Sequence, residues 1–335
     1  MTGYRPWLTY TVVEAYTGAI TSFAVMLFAY DLSGSATAAG GLGTLSSAIS
    51  YGLAMFGGVL VDSYDRRRLM AIRVSLSLLI WGGAMSVLAI TGVLSFLIFS
   101  VLVCSATVVS GLLGLSGESA LRSLVSGENY VTAAGFRWIL KSRQMTALTA
   151  LAVVVNVGIF LLMSSVTLML LANGTDTTVI GFVVTAQAAG VVLGSPSAAH
   201  LTKTVPTGRL LLVTNLASVL FLLPIVFSQN LVLIGVCYFL WGLCVPVTNA
   251  SLGGYLFQLV PTDIQGRVVA AHTLIAGVPV ALTSVIAGSK ADAGWGVWAI
   301  ASGVVCAMLG LSILFIERSL LAIPRPADWP SEVPN

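Results

Sequence analysis

Few residues of this chain are of types that could do chemistry, and most of them stand alone in apolar sequence. Glu14, in WLTYTVVEAYTGAI, is the one acidic residue well inside a long apolar run. Counted from Trp7 it lies seven residues in, roughly 10 Å along a helix that rises 1.5 Å per residue. An ionised carboxylate within a bilayer costs on the order of 2.5 to 3.5 kcal/mol on insertion scales. Desolvation there favours the neutral form, which suits a group that binds and releases a proton or recognises a cation. The other reading is a hydrated carboxylate near the interface, or one bonded to a Tyr hydroxyl. Asn156, Gln187, Trp241 and Asn249 are further polar or amphipathic groups inside apolar runs. Each either lines a cavity or bonds one helix to another. His272 reads as a packing residue in preference to a proton relay, and Pro246 and Pro279 are expected to kink their helices.

Other chemistry finds no support. Ser, His and Asp do not cluster, and no phosphate-binding G-x-x-x-x-G-K run occurs. The two histidines, His200 and His272, and the four cysteines, Cys104, Cys237, Cys244 and Cys306, have no metal-site spacing. The cysteines fit as small buried apolar residues better than as disulfides. No metal, no cofactor and no enzymatic activity are expected. With no soluble domain to hydrolyse ATP, any driving force is an ion gradient.

The elements that must position these residues are membrane helices. The chain is 57% hydrophobic and only 8% charged, with a mean hydropathy of +1.00, and apolar runs of about twenty residues recur along its length. Backbone polar groups cannot stay unpaired in hydrocarbon, and the runs do not alternate, so they are helices and not barrel strands. The expected fold class is an all-α polytopic membrane protein. Ten spans are predicted, near residues 7–30, 37–61, 70–91, 94–116, 147–172, 178–199, 209–228, 230–256, 268–288 and 294–316. The first reads as a retained helix and not as a signal peptide.

With the N-terminus inside, the cytoplasmic segments hold every Lys and Arg except Lys290. One missed helix would invert every later loop, so this asymmetry supports ten spans with both termini cytoplasmic. Topology accounts for the basic residues, and no nucleic-acid partner is needed.

The stretch GGVLVDSYDRRRLM, residues 57–70, is the most informative. Before and within it Ser46, Ser50, Ala54, Gly58 and Asp62 recur every four residues, a stripe of small side chains ending in a carboxylate. Such a stripe lets another helix approach closely. Asp62 can then face a helix N-terminus, where the macrodipole favours an anion. Arg66, Arg67 and Arg68 would meet the headgroups.

The pattern G-x-L-x-D-x-x-x-R-R resembles the signature loop of the major facilitator superfamily, on Gly58, Leu60, Asp62, Arg66 and Arg67. The text from FAYDLSGSATAAG through DSYDRRRLM resembles the drug and siderophore exporter branch, typified by the enterobactin exporter. Ser63 and Asp65 stand where the family usually has Arg and Gly. GSPSAAHLTKTVPTGRLL, residues 194–211, resembles a worn second copy of the loop. LFQLVPTDIQGRVVAAHTLI, residues 256–275, resembles the turn before the family's eleventh helix. By resemblance that helix packs on the second, with Asp62 at its N-terminal end.

The superfamily has twelve helices in two related halves. Here SLVSGENYVTAA, residues 123–134, aligns with QLVPTDIQGRVVAA, residues 258–271, yet two spans follow the second copy and none the first. The text passes instead to GFRWILKSRQMTAL, which resembles the short basic helix before the family's seventh span. The resemblance therefore implies a major-facilitator-like bundle of four plus six helices, lacking equivalents of helices five and six. The expected organisation is a shortened N-terminal bundle (1–116), a linker with a basic interfacial helix (117–146), a six-helix bundle (147–316) and a cytoplasmic tail (317–335). Phe136, Trp138, Ile139 and Leu140, interleaved with Arg137, Lys141 and Arg143, suit a helix lying in the headgroup plane.

The resemblance implies a proton-coupled exporter of a small amphipathic, siderophore-like or drug-like compound, in a bacterial inner membrane, working by alternating access. A homodimer, or helices sliding together, would cover the wall opened by the missing fifth helix. The rival expectation is a non-transporting membrane protein, either an inactive remnant or a helix-bundle partner.

Overall fold

The computed structural model describes residues 20–63, 66–113, 137–260 and 265–329, and among them it is helical throughout, with no strand. The first helices are α1 (Ile20–Ser33) and α2 (Ala36–Ser63). There follow α3 (Arg66–Ser77), a π-helical segment (Leu78–Ala84), α4 (Met85–Thr91) and α5 (Phe96–Leu113). After a helical turn at residues 137–141 come α6 (Arg143–Ala172), α7 (Thr177–Thr204) and α8 (Thr207–Leu222). The last are α9 (Leu231–Leu259), α10 (Gln265–Asp292) and α11 (Gly296–Ile316).

Among the described residues eight helices are long and apolar enough to cross a membrane. They are α5 to α11 and the run from Arg68 to Leu88 through the π segment. Beside these, α1 is described from Ile20 onward and is apolar, and α2 is 28 residues long. The π segment contains Trp81, Gly82 and Gly83; paired glycines weaken the α-helical ladder there.

Two ends can be told apart. At one, the connections are short and four of them turn on glycines in the left-handed region, Gly34, Gly92, Gly174 and Gly294. Only Gly adopts that conformation without a Cβ clash, so these residues close the turns tightly. The described lysines and arginines gather at the other end, Lys290 excepted. They are called here the turn end and the basic end.

Helices α6 to α11 form a tightly packed bundle. Helix α6 lies against α11 and α7 against α9, and glycines set both contacts. A Cβ on Gly158 would meet the backbone of Gly303 and Ala307, and one on Gly190 or Gly194 would strike the carbonyl of Phe239 or Leu243. This is small-residue packing, where backbones approach and dispersion replaces hydrophobic drive. Asn215, Thr214 and Ser218 are buried on α8 and bond to carbonyls of their own helix. Their polarity is therefore satisfied without a partner helix.

The N-terminal group is thinner. Helix α2 packs on α5, and α1 meets α5 through Phe28 and Phe99, ring centres 6.1 Å apart. Ile72, Val74, Leu78, Leu79, Val87 and Ile90 along α3 to α4 are all exposed. The groups join where α2 lies along α10, and α10 lies in turn along α6.

One sequence expectation changes and another gains detail. In the basic turn Ile139 is buried against Val260, Val268 and Ala271, while Leu140 is exposed. It thus meets the end of α9 and the first turns of α10. Residues 194–211 are not a loop: α7 runs through Pro196 to Thr204 and α8 opens at Thr207.

The segment after α11 folds back across the basic end. Leu320 and Ile323 are buried, and the amides of Thr207 and Gly208 donate to the carbonyls of Pro324 and Ile323, both at 3.1 Å. Trp329 donates from Nε1 to Thr207 Oγ1 at 3.0 Å and stands edge-on to Tyr255. Arg143 pairs with Glu317. Over residues 317–329 the expected tail forms a strap joining α6, α8 and α9.

Candidate functional site

The seam along α2, α10 and α6 is the place where polar side chains and close backbone contact coincide. At the turn end, Asp292 closes α10 and receives the N-terminus of α2. Its Oδ1 accepts from the Ala36 amide at 2.9 Å; its Oδ2 accepts from the Thr37 amide and the Ser35 hydroxyl, both at 2.8 Å. The first amides of a helix lack intrahelical partners, and the macrodipole adds attraction for an anion. A carboxylate 256 residues away from Ala36 supplies both needs.

Below this the backbones touch. A Cβ on Gly288 would strike the Ala36 carbonyl, and one on Gly40 the Ser284 carbonyl. Thr44 Oγ1 donates to the Ala281 carbonyl at 2.7 Å and accepts from the Val285 amide at 3.1 Å. One hydroxyl thus bridges a donor and an acceptor one turn apart on α10. Near mid-helix the Tyr51 ring packs on Gly277, where no Cβ would fit.

Towards the basic end the seam passes to α6. His272 Nδ1 lies 3.3 Å from Thr149 Oγ1, with Thr149 buried and His272 half-buried. Asn156 is seven positions beyond Thr149, two turns along the same face, and is half-buried. The seam therefore collects Asn156, but not Gln187, Trp241 or Asn249.

Gln187 and Trp241 lie elsewhere, on α7 and α9 where these two helices pack together. The Gln187 carbonyl lies against Gly242, and Trp241 is buried in the main core. Asn249, further along α9, is exposed. Gly58, Leu60 and Asp62 fall on the last turns of α2, and Arg66 and Arg67 open α3; their side chains, like Glu14 as a whole, lie outside the described residues.

Sequence reasoning passed over two features. Asp292 carries a signal in hindsight: an acidic residue at a helix C-terminus opposes the macrodipole, so it needs a partner from outside its own helix. Tyr238, one turn before Trp241 on α9, is buried with no hydrogen-bond partner for its hydroxyl, as are Ser46, Ser165 and Ser251. Nothing local marks those four.

Among the described residues no three His, Cys, Asp or Glu side chains could hold a metal. The arrangement is a seam of small residues with polar ties at its end and middle, where the two groups of helices meet.

Comparison with known proteins agrees with this architecture. The profile of the Major Facilitator Superfamily matches residues 147–333, more than half of the chain, from the first turns of α6 through the strap. No curated protein matches the chain.

Proposed function

The chain belongs to the major facilitator superfamily and is a multi-pass membrane transporter, and from that premise we propose proton-coupled efflux of a small amphipathic, siderophore-like or drug-like compound by alternating access. The basic end faces the cytoplasm of a bacterial inner membrane, in keeping with the charge asymmetry. The observation that carries the reading is the α2–α10 seam, tied at the turn end and built of residues small enough for two backbones to slide or separate. Alternating access needs such a joint between two bundles.

In this reading Glu14 binds the proton, and Asn156, Gln187, Trp241 and Asn249 line the substrate path. Gly58, Leu60, Asp62, Arg66 and Arg67 form the cytoplasmic gate opposite the N-terminus of α10. The chain divides as the sequence implies: a shortened bundle over 1–116, a linker over 117–146, a six-helix bundle over 147–316 and a tail over 317–335. Equivalents of the family's fifth and sixth helices are missing, and a homodimer covers the gap.

Efflux from proteoliposomes tests it, with a panel of dyes and siderophores under an imposed pH gradient. Transport above protein-free liposomes that a protonophore dissipates is expected. Its absence from well-folded protein would overturn the reading. One observation favours a second reading, a bundle partner that does not transport: the bare apolar surface along α3 to α4, which a neighbouring subunit would cover.

A further inference from the structure

Of the polar ties in the seam, the one at Asp292 differs in kind, because a single carboxylate on α10 holds the start of α2. We infer that Asp292 is a gating residue, a latch that keeps the outer end of the seam shut in the resting protein and must release before the carrier opens outward. This rests on the carrier reading and its orientation.

Four observations support the latch. Asp292 makes three hydrogen bonds to Ser35, Ala36 and Thr37, all between 2.8 and 2.9 Å. Ser35 also accepts from the Ala38 amide at 3.2 Å, so the carboxylate completes the cap of α2 and does not compete with it. Lys290, two positions back, is turned away over the Trp295 ring, 5.5 Å from its centre, and no ion pair to Asp292 occurs among the described residues. The position is a poor one for an acid on its own helix, and α2 is what compensates. Once the ends part, no other described residue of the seam supplies an anion to the α2 amides, and water must replace all three bonds.

Gly288, Gly40 and Thr44 lie one to three turns below Asp292 and depend on the same approach of the two helices. Releasing the latch frees the end of a zipper, from which the remaining contacts can open in order.

The test reads opening directly. Ser284→Cys, half-buried in the seam beside Gly43, is introduced in full-length protein whose four native cysteines are replaced by Ala. It is labelled from outside with a membrane-impermeant maleimide. Asp292→Asn and Asp292→Ala are expected to raise the labelling rate about tenfold, the change that loss of a helix cap of ordinary strength produces. If Asp292→Ala does not accumulate, the near-isosteric Asp292→Asn carries the measurement.

Adding Ser35→Asp restores a local cap to α2 without restoring the link to α10. Labelling that stays high in this double variant supports a latch between helices. Labelling that returns to the starting rate, or never rises in the single variants, overturns it. The outcome is separable from the carrier reading: a seam that opens in protein moving no substrate leaves the latch and removes the carrier, and unchanged labelling in an active carrier does the reverse.

Discussion

At the level of single residues, glycines govern how closely the helices lie, and their effect is specific to position. Gly40 faces the Ser284 carbonyl, whereas a Cβ on its neighbour Gly41 meets nothing within 4 Å. Gly40→Leu should therefore destabilise the protein by about 1 to 3 kcal/mol through overpacking, and Gly41→Ala should be neutral or slightly stabilising. Thermal unfolding in detergent distinguishes the two, and equal effects would contradict the close contact. Tyr238 poses the opposite question. Its hydroxyl is buried and unpaired, so Tyr238→Phe should raise stability by roughly 1 kcal/mol. If the substituted protein instead loses efflux at full expression, the hydroxyl serves the substrate. Glu14→Gln should abolish pH-driven efflux with expression intact, and unchanged efflux would remove Glu14 from the mechanism.

At the level of elements, the strap over residues 317–329 gives the six-helix bundle a second fastening beyond its helix contacts. Trp329 shares its one indole N–H between Thr207 Oγ1 and the Pro324 carbonyl and adds an edge contact on Tyr255. Trp329→Ala should cost about 2 kcal/mol, while Arg325→Ala, exposed and outside these bonds, should change little; calorimetric melting points test both. Glu317 is held below the ordinary glutamate range by the Ser319 hydroxyl and by the charge of Arg143. A lowered folded value means its contribution is complete above that range and fades as pH falls through the lowered value. Strap docking should thus be insensitive to pH near neutrality and weaken only in acid, as Trp329 fluorescence would report.

These elements also show what a sequence can disclose. The helices were legible because apolar runs and basic residues repeat on the scale of one span, and the packing of α2 on α10 followed from the resemblance around Asp62. The pairing of Asp292 with Ser35, 257 residues distant, left no local pattern, since a cap supplied by another helix needs only one acid in the right place. The strap was equally hidden: Trp329 lies in a Pro-rich stretch that reads as a loose end until Thr207 and Tyr255 are placed beside it. Pro196 falls inside the span expected over 178–199 and inside α7, since a membrane helix tolerates proline when neighbours satisfy the freed groups.

At the level of the whole molecule, the two groups of helices are unequal in finish. The bundle matched by the superfamily profile is closed by glycine contacts and a strap, whereas the run from α3 to α4 leaves large apolar side chains uncovered. Lipid or a second copy must meet that surface. Cross-linking in native membranes through a cysteine placed at Leu79 is expected to give a dimer if copies associate there. Monomer at all cross-linker doses would leave the surface to lipid.

The left-handed glycine turns carry a final consequence. Gly34 joins α1 to α2, Gly174 joins α6 to α7, and Gly294 joins α10 to α11, each through a bend too brief to absorb much independent travel. Motion at that face is thereby restricted to paired rods swinging together, so anything that pulls α2 outward must carry α1 with it.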